Sequence, residues 1–444
     1  MKVTRLPTDP GPAAWNDILP APSRSQPLQT HATCDFLIIG AGFAGLSAAR
    51  RLRQLHPNAG ITVLEARGIA EGPAGRNSGF MIDLPHDLAS EDYGGQIEAD
   101  QQQTAANRVA IAFAEDAARD YAMPSEAFVL SGKINAAASD KGMLHNLDYA
   151  DHLSNMGETH ELLDAVQMKE ISGIDYYRGG LFTPGTAMLQ PALYIRELAR
   201  GLRAGGVAIF EGSPVVALDR QGQDWIAKTP KGQVAAAKVI LAVNGHAQSF
   251  GFFKNRLMHV FTYASMTRAL TDDEVAALGG APVWGFTPAD PMGTTVRRIS
   301  GAGGDRIVIR NRFTYDPSMK VSDGRITSVG RDHDRAFAAR FPVLAGVLMQ
   351  YRWGGRLCLS RNNVPAFGEV DTGVFAAVCQ NGLGTAKGTL SGLLAADLAS
   401  GNRSNLLDDM LNLDLPVRLP PEPLSWLGAN AVMRWGEFKA GREM

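Results

Sequence analysis

The stretch DFLIIGAGFAGLSAARRL, residues 35–52, decides how the rest of this chain is read. An apolar run, Phe36–Ile39, meets three glycines, Gly40, Gly42 and Gly45, and gives way to a helical pattern that carries Leu46, Ala49 and Leu52. The layout is strand, glycine turn, helix. Small residues in such a turn let backbone N–H groups and a helix N-terminus approach a pyrophosphate closely. Gly40, Gly42, Phe43, Ala44 and Gly45 are therefore expected to hold a dinucleotide.

A glycine turn alone is a weak signal; its context is a second strand ending in an acid about 20 residues on. ITVLEAR, residues 61–67, supplies that strand and ends in Glu65, followed by Ala66 and Arg67. A carboxylate there accepts both hydroxyls of an adenosine ribose and repels a 2′-phosphate, which favours FAD or NAD over NADP. The next stretch, GIAEGPAGRNSGFM (68–81), separates these two. A nicotinamide domain continues here with a crossover helix and strand. A loop of small and polar residues, with Gly75, Arg76, Asn77 and Ser78, instead suits a backbone wrapped along an extended flavin cofactor. Far along the chain, VFAAVCQNGLGTAKG (374–388) reads as a buried strand, a turn at Gly382, Leu383 and Gly384, and a long helix from about Thr385. A second helix N-terminus there stabilises negative charge.

Composition bounds the answer from outside. A chain of 444 residues buries a large core and is expected to hold two domains. The net charge of −2 argues against a nucleic-acid partner, which calls for a basic excess. MKVTRLPTDPGPAAWNDILP lacks the apolar core of a signal peptide, and no run of about 20 apolar residues suggests a membrane span, so a cytoplasmic enzyme is the default expectation. Cys34, Cys358 and Cys379 are too scattered for a disulfide framework or a metal site.

Taken together, GAGFAG, VLEA and GPAGRNSG resemble the D-amino-acid-oxidase-type flavoproteins, which oxidise C–N bonds of amines and amino acids. Within them the chain is most similar to the gamma-glutamylputrescine oxidoreductase branch, through ARFPVLAGVLMQYRWGG (339–355) and the segment 362–401. The resemblance implies a Rossmann-type α/β FAD-binding domain, of glutathione-reductase-like topology, beside a discontinuous substrate domain on an antiparallel sheet. Residues 31–95, 186–257 and 350–401 are expected in the first, 96–185 and 258–349 in the second. An extended arm (1–30) and a C-terminal tail (402–444) flank them. Residues 97–121 read as an amphipathic helix with Val109, Phe113, Ala117 and Tyr121 on its apolar face.

The resemblance also implies site residues. Val215 and Ala242 fall where relatives approach the cofactor. Arg298 matches a strand arginine and is expected to clamp a substrate carboxylate; strand alternation allows only one of Arg297 and Arg298 to face the flavin. Tyr263 reads as an aromatic wall or a core tyrosine, and Trp353 as a border of the flavin cavity. His246 and His86 read either as groups near the isoalloxazine or as packing residues. Some relatives tether FAD through a histidine where this chain has Arg76, others through a cysteine whose register falls on Gly355, three residues from Cys358. Noncovalent FAD is the expectation. The strand RIVIRN lacks the lysine with which some relatives activate oxygen, which leaves oxygen or another electron acceptor open. The expected partner is a small amine or amino acid. Two alternatives stand beside this reading: a flavin hydroxylase using NAD(P)H, whose usual late Gly-Asp-Ala-Ala-His segment is not matched by NGLGTAKG, and a flavin-bound accessory protein without turnover.

Overall fold

The computed structural model describes residues 1–22, 25–85 and 94–444. Its first sheet grows from the segment that opened the sequence reading. His31–Ile39 lies parallel to Ile61–Leu64 on one side and to Gln233–Leu241 on the other; Ala208–Phe210 and Val374–Val378 extend the parallel run outward. Ile61–Leu64 and Val374–Val378 are buried at every residue, as strands covered on both faces must be. An antiparallel flap, Ala217–Gln221 and Asp224–Lys228, adds to one side.

Register places the important chain ends together. Ile39 pairs with Leu64 and with Leu241, so Gly40, Glu65 and Ala242 all emerge at the same carboxyl edge. That edge is where open α/β sheets bind their ligands. The helix Phe43–Leu55 leaves from it and packs on the helix Ala386–Ser400. Gly392 makes this possible: a Cβ there would stand 2.0 Å from the Ala44 carbonyl.

The second sheet runs in the order Met349–Leu359, Met258–Thr267, Arg306–Tyr315, Thr295–Ile299, Trp284–Pro288, Lys133–Ala137, Gly179–Thr183, Glu161–Asp164. All neighbours are antiparallel except Trp284–Pro288 with Lys133–Ala137. Met349–Leu359 thus belongs to this sheet, although the sequence reading grouped residues from 350 with the FAD-binding part. Its ten residue pairings with Met258–Thr267 fix it there. A bulge interrupts the pairing of Met258–Thr267 with Arg306–Tyr315: Thr262 faces Phe313, Tyr263 faces Asn311, and the extra residue Arg312 adopts φ +61°.

Two further expectations need correction. In the helix Ile97–Asp120 the buried side is Asn107, Ala110, Ile111, Ala114 and Ala117, whereas Val109 is exposed. Of the expected stripe, Ala117 is buried and Tyr121 packs partly against the core, but Val109 is turned out because Ala110 and Ile111 take its place on the packed face. The arm also carries a short helix, Ala14–Asp17, whose Trp15 is fully buried. His86 lies outside the described residues.

Filling the contact between the two cofactor-edge helices should be costly. We expect Gly392→Val to lower apo-protein stability by about 1–3 kcal/mol, the usual cost of overpacking a core. Denaturant unfolding of the apo-protein checks this, and a midpoint equal to wild type would contradict the close approach.

Candidate cofactor and substrate cavity

The carboxyl edge of the first sheet and one face of the second enclose a single cavity of about 270 Å³. At one end it is built by the glycine turn. Gly40 has φ +104°, a conformation that favours glycine, and a Cβ on Gly45 would stand 1.8 Å from the Gly40 carbonyl. Gly45 therefore does not line the cavity; it lets the helix start close enough for Gly40, Gly42, Phe43 and Ala44 to do so. No side chain caps the helix Phe43–Leu55, and none caps Ala386–Ser400, whose N-cap Thr385 and third residue Gly388 line the cavity. Two helix N-termini without side-chain caps at one cavity form a place for anionic groups.

Glu65 lines the same wall. Its carboxylate accepts the Ala41 N–H at 2.9 Å and the Arg67 N–H at 3.0 Å. Burial pushes this carboxyl above the usual range, and the two N–H bonds pull it back. Val215, Ala242 and Ala66 complete this end.

The loop 68–81 folds along the cavity, with Arg76, Asn77 and Ser78 lining it and Gly75 packed against Ala70 behind. The Arg76 guanidinium is committed elsewhere: it donates to the carbonyls of Glu71 (2.6 Å), Pro10 (3.0 Å) and Gly11 (3.0 Å). Across the cavity, Cys379, Asn381 and Gly382 all take positive φ in the last turn. Asn244 Oδ1 accepts the Cys379 N–H, and Asn381 Oδ1 accepts the Ser360 N–H. Gly382, Gly384 and Thr385 line the cavity, while Leu383 turns into a small apolar cluster with Phe80, Ile82 and Met188.

From the second sheet come Tyr263, Trp353 and Arg310. The Tyr263 hydroxyl is paired with Thr314 Oγ1 at 2.6 Å, and the Trp353 indole N–H donates to the Arg76 carbonyl at 3.0 Å. Arg310 is opposite Ala264, another lining residue, and its guanidinium stacks on Phe313 at 4.5 Å. The bulge that follows is propped by the C-terminal helix Leu424–Ala440: buried Glu437 accepts the Phe313 N–H at 2.9 Å and Arg312 Nη1 at 2.8 Å.

Arg298 does not reach the cavity. It is almost wholly buried on the other side of the sheet, where it donates to the Gly279 carbonyl and sits 4.0 Å from Asp305. Alternation was the right rule, but Arg297 is the neighbour that points toward the flavin loop, and its Nη1 is taken by the carbonyls of Ser78 and Leu189 at 2.8 Å each. The arginines that the sheet presents to the cavity are Arg310 and Arg356, the second of them paired with Asp9. Sequence reading also missed Asp9, Arg5 and Arg356 as lining residues. The arm offered no periodic signal, and Arg356 is distinguished only by its place on a strand whose sheet was misassigned.

His246 lies in this wall with both ring nitrogens unpartnered among the described residues. Burial first, then Arg356, His259 and Arg5, pull its pKa down to about 2. Neighbouring His259 accepts Gln248 Nε2–H at 2.9 Å, and burial with Arg356 and Arg5 brings it to about 3. Both rings are neutral throughout the physiological range.

A dinucleotide edge on a parallel sheet, sharing its cavity with the face of an antiparallel sheet, defines an FAD-dependent oxidoreductase. The chain belongs to the DAO family of FAD dependent oxidoreductases, whose model matches residues 35–398. It is 26% identical over 388 residues to a probable oxidoreductase OrdL of Haemophilus influenzae, covering 86% of each chain. It is 25% identical over 388 residues to gamma-glutamylputrescine oxidoreductase of Escherichia coli, covering 84% of this chain and 85% of that one. Glycine oxidase of Geobacillus kaustophilus shares the fold, with a TM-score of 0.70 at 18% identity, over 88% of this chain and all of the other. The residues fit FAD: an open glycine turn, a buried acceptor at Glu65 and two helix N-termini span one cavity.

The two buried histidines give a signed pH dependence. Their folded-state pKa values lie below the ordinary 6.5, so they favour the folded form above that pH, and the contribution is lost as pH falls toward 3. Between pH 6.5 and about 5 the pair should cost the apo-protein about 3 kcal/mol of stability in all, about 2 kcal/mol per pH unit. Denaturant midpoints of wild type and the His246→Gln/His259→Gln double variant compare the slopes; equal slopes would contradict the assignment.

Proposed function

We propose that this chain oxidises a C–N bond of an amine or amino acid bearing a carboxylate, giving an imine that water hydrolyses to a carbonyl plus an amine or ammonia. The observation that carries the reading is the cavity itself, with the dinucleotide edge at one end and Arg310 and Trp353 at the other. Bound FAD supplies the two-electron acceptor. The chain's own residues do the rest. Arg310 takes the carboxylate of the substrate, in a charge-assisted contact, and orients the C–N bond. Trp353, fixed through its indole N–H, walls the reacting carbon and excludes water, whereas the Tyr263 ring packs with Phe261 and Val329 on the opposite face of the sheet and meets the cavity only with its strand. His246, held neutral, adds no charge beside the substrate amine. The names of the relatives support this class of substrate, since gamma-glutamylputrescine carries an amine and a distant acid.

Noncovalent attachment of FAD is part of the proposal. Cys358 lines the cavity, but burial and the adjacent Cys379 thiol push its pKa well above the ordinary value, which keeps it a poor nucleophile. Acid precipitation should leave the yellow colour in the supernatant; colour retained in the pellet would contradict this.

The substrate reading is tested by anaerobic mixing of the holoenzyme with a panel of amines, amino acids and amines with distant carboxylates. Flavin absorbance should bleach with acid-bearing amines. Arg310→Ala should lose about a hundredfold in kcat/KM on those substrates with flavin content unchanged. Arg298→Ala should lower thermal stability without a selective loss on acidic substrates. Bleaching by NAD(P)H alone, or equal effects of the two substitutions, would contradict the reading.

A further inference from the structure

The N-terminal arm lies outside the family match at 35–398, yet it forms a wall of the cavity through Val3, Arg5, Leu6, Pro7 and Asp9. It is fastened at both ends. On one side Val3 N–H donates to the Val216 carbonyl at 2.9 Å, beside the cavity residue Val215, and Thr4 N–H to Ser249 at 3.0 Å. On the other, the Pro10 carbonyl accepts the Gly354 N–H at 2.9 Å and Arg76 Nη1 at 3.0 Å. Gly11, at φ +75°, lies so close to the Met349–Leu359 strand that a Cβ would stand 2.5 Å from the Arg352 carbonyl. Between these anchors, among the described residues, Leu6, Pro7 and Thr8 make no main-chain hydrogen bond to the body of the protein. Leu6 shows solvent 44% of its surface while still lining the cavity, so the arm at this point is one chain thick.

Asp9 closes the second anchor. Its side chain is fully buried, and its carboxylate meets Arg67 Nη1 at 3.0 Å and Arg356 Nη2 at 3.4 Å. Arg67 follows Glu65 at the edge of the first sheet; Arg356 stands on the second sheet beside Cys358. One carboxylate therefore ties both sheets across the cavity by bridging two arginines, of which Arg67 is also paired with Glu71 at 3.5 Å.

We propose that residues 3–11 are a strap over the cofactor channel, and that Asp9 is the latch which sets how fast FAD leaves. The proposal rests on the reading of this cavity as the FAD site. A cofactor enclosed by a wall one chain thick leaves by displacing that wall, and removing the buried Asp9 carboxylate loosens the anchor that holds the wall against both sheets. Asp9 is a positioning residue, not a catalytic one.

Two measurements on the full-length holoenzyme test it. Flavin release is followed by the rise in flavin fluorescence after dilution. Asp9→Ala should release FAD about tenfold faster or more than wild type, with Asp9→Asn between them because it keeps an acceptor oxygen. Trypsin cleavage after Arg5, followed by mass spectrometry in the wild type, should be about tenfold slower in holo- than in apo-protein, relative to cleavage in the tail 402–444. Release rates within twofold of wild type, or equal cleavage after Arg5 in both forms, would overturn the strap while leaving the cofactor site intact. A wild-type protein that takes up no FAD would overturn the cofactor reading and the strap with it.

Discussion

The Glu65 carboxylate accepts the N–H of Ala41 from the glycine turn and the N–H of Arg67 from its own loop. Through that one side chain, the end of the second parallel strand holds the turn after the first strand in shape. The turn in turn aims the N-terminus of the helix Phe43–Leu55, and Gly45 and Gly392 let the two edge helices sit down on it and on each other. A buried carboxylate is expensive unless its oxygens are satisfied. The two N–H bonds meet part of that requirement, and ribose hydroxyls at the same oxygens would meet more.

The cavity is an assembly of distant segments, each immobilised by main-chain capture. Arg76 grips three carbonyls, Arg297 two, and Trp353 one; Glu437 captures a main-chain N–H from the C-terminal helix and thereby fixes the bulge next to Arg310. Charged side chains that hydrogen-bond backbone define geometry without presenting their charge to a ligand. Arg297 and Arg298 are of this kind and hold the walls, while Arg310 lines the cavity itself. Bulges next to sites commonly re-aim a side chain in this way.

Much of this was legible in the sequence. Local patterns carried the dinucleotide edge: a glycine turn, an acid at a strand end and a turn rich in glycine before a long helix are all short-range features. Long-range pairing carried what was missed. Whether Met349–Leu359 joins the first sheet or the second depends on its contact with Met258–Thr267, about ninety residues away, which no local period encodes. The choice between Arg297, Arg298 and Arg310 depends on which face of the sheet meets the cavity. Asp9 gave no signal at all, because an arm without periodicity acquires a role only from what it lies against.

The most direct test of the central claim, that FAD lies along this edge with its adenosine ribose on Glu65, is the flavin occupancy of Glu65→Ala. Each lost charge-assisted hydrogen bond costs about 1.5–3 kcal/mol. The account predicts a folded protein, with the secondary structure of the wild-type apo form, that purifies essentially free of FAD and regains little on dialysis against it. Full flavin occupancy in that folded variant would contradict the placement of the cofactor.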